Sequence, residues 1–166
     1  MALRKKPVTP EAALSRMAQL CSRSEQCEFE IDKKLFNMGL NPLQRKEIIE
    51  QLKANRYIDN ARYAKSFAND KVRFSHWGPR KIKAALINHK ISASLITEAI
   101  EAIKEEDIET ALMKSAESKS RNLDLTGENG RDERRKLFNY LITRGFSGSD
   151  ANRAVKIMRI QQEEAL

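Results

Sequence analysis

The sequence predicts an all-α fold built from three tandem three-helix repeats in an extended, curved arrangement. The first observation is a pattern of apolar residues at helical spacing that occurs three times along the 166 residues. The second observation is that no segment alternates apolar and polar residues, and no Asn-Gly hairpin signal is present. The three copies read IDKKLFNMGLN (31–41), IKAALINHKIS (82–92) and LFNYLITRGFS (137–147).

Each copy is predicted to be one helix, a turn and the start of a second helix. Leu35, Leu86 and Leu141 hold the same register in the three first helices, so we expect all three to be core residues. After the turn, apolar residues recur at three matching positions of the second helix. These are Ile48, Ile49 and Leu52 in the first copy, Ala99, Ile100 and Ile103 in the second, and Ala154, Val155 and Met158 in the third.

Residues at the turns fit this interpretation. Gly39 and Gly145 stand where the end of a helix favours a left-handed residue. Lys90 occupies that position in the second copy, which predicts a strained or differently capped turn there. The predicted N-caps of the following helices are Asn41, Ser92 and Ser147.

A further helix is predicted to precede each pair, over residues 10–22, 60–74 and 108–121. Thr9 and Asp59 are suited to be the N-caps of the first two. The predicted organisation is an N-terminal tail (1–9), repeat one (10–56), repeat two (57–106) and repeat three (107–166), with a flexible loop at 122–130.

The positive charge of the chain is concentrated in its middle. The sequence has 31 Lys and Arg against 23 Asp and Glu, a formal net charge of +8. Residues 57–91 hold 8 of the positive and 2 of the negative side chains. A localised basic field favours a polyanionic partner such as nucleic acid, or an acidic protein surface. General solubility is the alternative, but it needs no clustering.

The first group of candidate binding residues surrounds the Gly78-Pro79 break. A helix is predicted to begin there, and free amides beside cations suit phosphates or carboxylates. For Trp77, closing the small core of repeat two is the alternative to binding. The group consists of Lys65, Lys71, Arg73, Trp77, Arg80, Lys81 and Lys83.

The second group lies on the equivalent helix of repeat three, in RDERRKLFNYLITR (131–144). Two equivalent basic helices would let the repeats follow a polyanionic or filamentous partner along its axis. Asp132 and Glu133 interrupt the group, so ion pairing within the helix is the alternative. The candidate residues are Arg131, Arg134, Arg135 and Arg144.

No pattern in the sequence indicates catalysis or metal binding. Phosphate-binding glycine loops, nucleophile elbows and zinc-protease motifs are absent, so we expect no enzyme activity and no cofactor. Cys21 and Cys27 lie far from His76 and His89, so no metal site is expected. Two thiols without a signal peptide or a long apolar run indicate a cytoplasmic protein.

The segment 57–92 strongly resembles the central signature of the RecX family of bacterial recombination regulators. Segments 30–35 and 134–146 resemble the flanking repeats of the family, so the resemblance covers about residues 12–158. Asn60, Ala85 and His89-Lys90 depart from the family pattern, which affects the expected cap geometry. The matching residues are Tyr57, Ile58, Asp59, Tyr63, Ala64, Phe67, Arg73, Gly78, Pro79, Ile82 and Leu86.

The resemblance implies a regulator of homologous recombination and DNA repair, within the SOS response, that binds in the groove of the RecA nucleoprotein filament. It implies inhibition of RecA ATPase, strand exchange and filament growth. The expected partners are the RecA filament and the single-stranded DNA within it, with weak binding to free DNA, no membrane and a monomeric chain.

The alternative is a helix-turn-helix DNA-binding protein that acts on DNA directly. The third helix of a repeat would then enter the major groove. In repeat two that helix is predicted over 93–107, a segment with five acidic residues and a single cation, Lys104. Repulsion by phosphates disfavours such a recognition helix.

Overall fold

The computed structural model describes residues 8–166, and positions 1–7 of the predicted N-terminal tail lie outside the described residues. Residues 8–166 form nine α-helices and no strand. The all-α prediction with three three-helix repeats is confirmed. The helices are α1 (Pro10–Arg23), α2 (Glu28–Asn37), α3 (Pro42–Ala54), α4 (Asn60–Arg73), α5 (Pro79–Asn88), α6 (Ala93–Glu101), α7 (Glu105–Ser120), α8 (Gly130–Thr143) and α9 (Gly148–Glu164).

Side-chain capping explains four of the nine helix starts in the described residues. Four predicted N-cap side chains accept a hydrogen bond from an amide in the first turn, which satisfies an otherwise unpaired donor. Ser92 precedes α6 in the N-cap position but makes no such bond. Lys90 has a φ of +57°, so the second copy does turn through a left-handed non-glycine residue. The four capping residues are Thr9, Asn41, Asp59 and Ser147.

The boundary between α6 and α7 differs from the prediction. α6 ends at Glu101 instead of continuing to residue 107, and α7 begins at Glu105 instead of residue 108. Lys104 is extended and precedes three acidic residues, which are favoured at the positive N-terminal end of a helix. α7 therefore begins two residues before the predicted start of repeat three. The predicted repeat boundaries otherwise stay a prediction.

Buried apolar residues form two clusters. The first lies within α1–α3 and the start of repeat two, and the second combines α4–α9 in one core. Leu35, Leu86 and Leu141 are all fully buried, which confirms the predicted register. Ile100 is only partly buried, whereas the other residues predicted after the turns are buried. Repeats two and three thus share a core, into which Cys27 of repeat one also packs, and the other buried apolar residues of repeat one form their own cluster.

The segment predicted to be a flexible loop, 122–130, is held at its centre. Leu125 is fully buried, and its amide donates a hydrogen bond to Gln162 Oε1 at 2.9 Å. Its carbonyl accepts a hydrogen bond from Arg134 Nη1 at 2.6 Å. Asp124 accepts from the amides of Thr126 and Gly127, and these bonds lower the pKa of its carboxyl.

An ion pair ties α9 to α7 across repeat three. Arg153 donates from both terminal nitrogens to Glu109, at 2.7 and 2.6 Å. These bonds lower the pKa of the Glu109 carboxyl and raise that of Arg153. Both side chains are nearly half exposed, so water and salt screen the pair.

We expect Arg153→Ala to lower the free energy of unfolding by about 0.2–1 kcal/mol at neutral pH. Because the folded-state pKa of Glu109 is depressed, the pair stabilises the fold above the unfolded pKa of that carboxyl. The difference in unfolding free energy between wild type and Arg153→Ala should vanish as pH falls through the folded-state pKa of Glu109. Urea titrations at several pH values measure this, with Lys156→Ala as a control. A difference that does not depend on pH would contradict the assignment.

Candidate nucleic-acid interface

The N-terminus of α5 is occupied by backbone of repeat three. The Gly78 amide donates to the Arg144 carbonyl at 2.7 Å, and the Arg80 amide donates to the Gly145 carbonyl at 3.0 Å. The amides of Gly78 and Arg80 are therefore not free to receive phosphates, contrary to the expectation for this helix start. The turn between α8 and α9 satisfies these two amides, because it lies directly against the Gly78-Pro79 break. An anion site here would depend mainly on side chains.

The loop between α4 and α5 is braced by repeat three. The Arg144 guanidinium donates to the carbonyls of Ser75 and His76. The Ser115 hydroxyl of α7 also donates to the His76 carbonyl, at 3.2 Å. His76 has a φ of +52°, a conformation uncommon for a residue with a side chain. The guanidinium of Arg144 is thus directed at this loop.

Two lysines converge on Trp77. The Lys71 ammonium lies 4.8 Å from the centre of the indole ring, and the Lys81 ammonium lies 4.5 Å from it. Phe67 contacts the same ring edge-on, with ring centres 6.5 Å apart. Trp77 is partly buried and packs against the shared core of repeats two and three. The ring therefore serves the core and also carries two cations.

These two lysines lack a carboxylate partner. Within residues 8–166, neither Lys71 nor Lys81 forms an ion pair. Since both ammonium groups lie within 5 Å of one ring centre, they are closer to each other than the Debye length of ~10 Å at 0.1 M salt. At such a distance salt screens their repulsion only in part, and a bound anion would relieve it. We refer to Lys71, Trp77 and Lys81 as the lysine–tryptophan cluster.

Of the remaining cations in the first predicted group, one is ion-paired within the part of the chain that the structure describes and three are not. Arg73 is bound to Asp107 through two hydrogen bonds, of 3.1 and 3.0 Å. The other cations are exposed and have no ion pair among the described residues. They are Lys65, Arg80 and Lys83.

Most of the second predicted group has intramolecular partners. Arg135 lies 3.3 Å from Asp132, and Lys136 lies 2.6 Å from Glu133. These are the pairs within the helix that the spacing allowed. Arg134 is bound to the loop, as described above, and Arg144 to the α4–α5 segment. Arg131 is exposed and has no ion pair within residues 8–166. Binding by these residues stays a prediction.

Three partly buried polar side chains, not foreseen from the sequence, link repeat one to repeat two. The Tyr63 hydroxyl lies 2.8 Å from His89 Nδ1, and His89 Nε2 lies 3.8 Å from Glu30. Burial raises the pKa of the Tyr63 hydroxyl and of the neighbouring Cys27 thiol. A thiol with a raised pKa stays protonated and is a poor nucleophile. Tyr63, His89 and Glu30 therefore form a structural contact between the two repeats and not a reactive site.

Residues 8–166 offer no group of His, Cys, Asp and Glu side chains close enough to hold a metal ion. No helix in the same range has the length and apolar character needed to cross a bilayer.

The fold and the interface define a helical repeat protein with a localised cationic surface. The family model described as "RecX, second three-helix domain" matches residues 59–100. Regulatory protein RecX of Clostridium acetobutylicum is 30% identical over 146 residues, which are 87% of this chain and 67% of that protein. The chain belongs to the RecX family.

Further comparisons agree with this assignment. Regulatory protein RecX of Xanthomonas campestris is 27% identical over 88% of this chain and 87% of its own length. A crystal structure of regulatory protein RecX matches with a TM-score of 0.76 at 26% identity, covering 87% of this chain and 70% of that one. RecX from Lactobacillus salivarius, at 19% identity, shares the fold with a TM-score of 0.74 over 91% and 97%. The chain spans 62–67% of the length of the clostridial relatives.

Proposed function

We propose that this chain regulates homologous recombination by binding RecA nucleoprotein filaments, where it inhibits RecA ATPase, strand exchange and filament growth. Membership of the RecX family supports a regulatory role. The observation that carries the binding proposal is the lysine–tryptophan cluster, with its two unpaired positive charges. It lies in the repeat that the family model matches.

The cluster favours contact with phosphates. An ammonium group beside a phosphate releases condensed counterions, so binding should weaken steeply as salt rises. Lys65, Arg80 and Lys83 lie on the same two helices, α4 and α5, and extend the positive field around the cluster. A filament contains a continuous polyanion, and the three repeats can contact successive parts of it.

The alternative, a helix-turn-helix protein that inserts a recognition helix into the major groove, is less favoured. α6 is the helix of repeat two that would serve as a recognition helix, and it contains Glu98 and Glu101 but no Lys or Arg. The three acidic residues that follow, Glu105, Glu106 and Asp107, belong to α7 and not to this helix. An acidic helix without a cation is repelled by the phosphates that border the groove.

Co-sedimentation tests the proposal. The protein should pellet with RecA filaments assembled on single-stranded DNA in the presence of a slowly hydrolysed ATP analogue, and it should bind the same DNA more weakly without RecA. RecA alone, without DNA or nucleotide, is the control for binding to unassembled subunits. Retention on bare DNA that equals retention on filaments would favour the direct DNA-binding alternative.

We expect regulation without turnover by this chain. The protein should lower the ATPase rate of RecA filaments, and without RecA it should release no phosphate from ATP above a heat-treated control. Coupled ATPase measurements over a range of protein concentrations check both points. Phosphate release by the purified protein alone would contradict a purely binding role.

A further inference from the structure

We propose that Phe74 is a stacking platform for an unpaired base of single-stranded DNA. The inference rests on the proposed function, because it names the residue that meets the bases of the polyanion. Phe74 directly follows α4, and 78% of its surface is exposed. Exposing an aromatic ring to water costs free energy, and stacking against a base recovers it.

Trp77 is not available for this role. Its ring already carries Lys71 and Lys81 and contacts the edge of Phe67. It also packs against the core, so no base can cover its face without displacing a lysine. Phe67 is partly buried in the same packing. Among the aromatic side chains of this segment, Phe74 is the one with a free surface.

The backbone holds Phe74 in place. Its amide donates to the Asp70 carbonyl at 2.9 Å, which closes the last turn of α4. The Trp77 amide donates to the Lys71 carbonyl at 3.0 Å. The carbonyls of the two intervening residues are held by Arg144 and Ser115 of repeat three. Because the segment is already ordered, little conformational entropy is lost when a base stacks on it.

A neighbouring cation indicates the class of ligand. Lys71 lies one helical turn before Phe74 and its ammonium belongs to the lysine–tryptophan cluster, whereas the adjacent Arg73 is paired with Asp107. A cation for the backbone and an aromatic ring for the base are the two parts of sites for single-stranded nucleic acid. In a duplex the bases are stacked on each other, so the arrangement favours a single strand.

The test compares two labelled oligomers of equal length by fluorescence anisotropy: oligothymidylate and its abasic counterpart. Wild-type protein should prefer oligothymidylate. Phe74→Ala should weaken binding of oligothymidylate by roughly 5- to 150-fold and leave the abasic oligomer almost unchanged. Phe74→Tyr should retain the preference. Phe36→Ala is the matched control, because Phe36 is a 64% exposed aromatic residue of repeat one.

Photocrosslinking gives an independent readout. Oligothymidylate with one 5-iodouracil should crosslink to Phe74, as mapped by mass spectrometry, and the crosslink should disappear in Phe74→Leu. Equal binding of the two oligomers by wild type, or no binding of either at low salt, would overturn the stacking role. Co-sedimentation with RecA filaments separates the two proposals, since retention of wild type there leaves the proposed function standing when the stacking role fails.

Discussion

Gly145→Ala should lower the free energy of unfolding of repeats two and three by about 2–5 kcal/mol. Gly145 has a φ of +97°, which a residue with a side chain adopts at a cost of about 1–2 kcal/mol. A methyl group there would also lie 2.5 Å from Lys81 Cβ and 2.8 Å from the Gly78 carbonyl oxygen. Relieving that overlap requires backbone to move apart, at about 1–3 kcal/mol.

Gly39→Ala separates the two contributions. Gly39 occupies the equivalent turn of repeat one with a φ of +84°, and a methyl group added there meets no atom within 4 Å. It should cost only the conformational part, about 1–2 kcal/mol. Urea denaturation followed by circular dichroism measures both variants. Equal losses of stability in the two would show that the contact between α5 and the α8–α9 turn does not constrain the fold.

The helices were predictable because their signals are local. Thr9 and Asp59 begin α1 and α4 as the capping rule predicts, and Leu35, Leu86 and Leu141 follow from one apolar period. The start of α7 was missed because an apolar period gives no information on a polar first turn. There, the acidic residues and the extended Lys104 set the boundary.

The candidate site was only partly predictable, for a different reason. The sequence places Lys71, Trp77 and Lys81 close together along the chain, and the fold brings them into one cluster. The partner of Arg144, in contrast, is Ser75, which lies 69 residues away in the sequence. Periodicity places residues on a helix face but does not give the packing of one repeat against another. The capped N-terminus of α5 was missed for the same reason.

This contact also divides the cations by role. Arg144 and Arg134 bind backbone carbonyls of the chain itself, so their positive charges contribute to holding loops. Lys71 and Lys81 gain no such partner, although both lie next to the braced segment. A cation that is ordered by a ring and left without a carboxylate is available to an external anion. The net charge of the sequence could not distinguish these two groups.

Lys71→Gln combined with Lys81→Gln should weaken binding to filaments and single-stranded DNA roughly 25-fold at 0.1 M salt. Each lost phosphate contact should flatten the slope of log affinity against log salt by roughly 0.7 on a single strand, so two contacts flatten it by about 1.4. The electrostatic part of the affinity vanishes near about 1 M salt. A slope that is flatter by about 1.4 therefore lowers the affinity roughly 25-fold at 0.1 M, one decade of salt below that point. Glutamine keeps most of the side-chain length, so packing on Trp77 should change little.

The matched control is Lys33→Gln combined with Lys156→Gln, which removes the same charge from two exposed positions of α2 and α9. It should leave the salt slope nearly unchanged, whereas Lys71→Arg with Lys81→Arg should preserve binding because both charges remain. Affinity is measured by anisotropy between about 0.05 and about 0.5 M salt, a range over which the Debye length falls from roughly 14 to roughly 4 Å. If both glutamine pairs flatten the slope equally, net charge governs binding and the lysine–tryptophan cluster is not the contact surface.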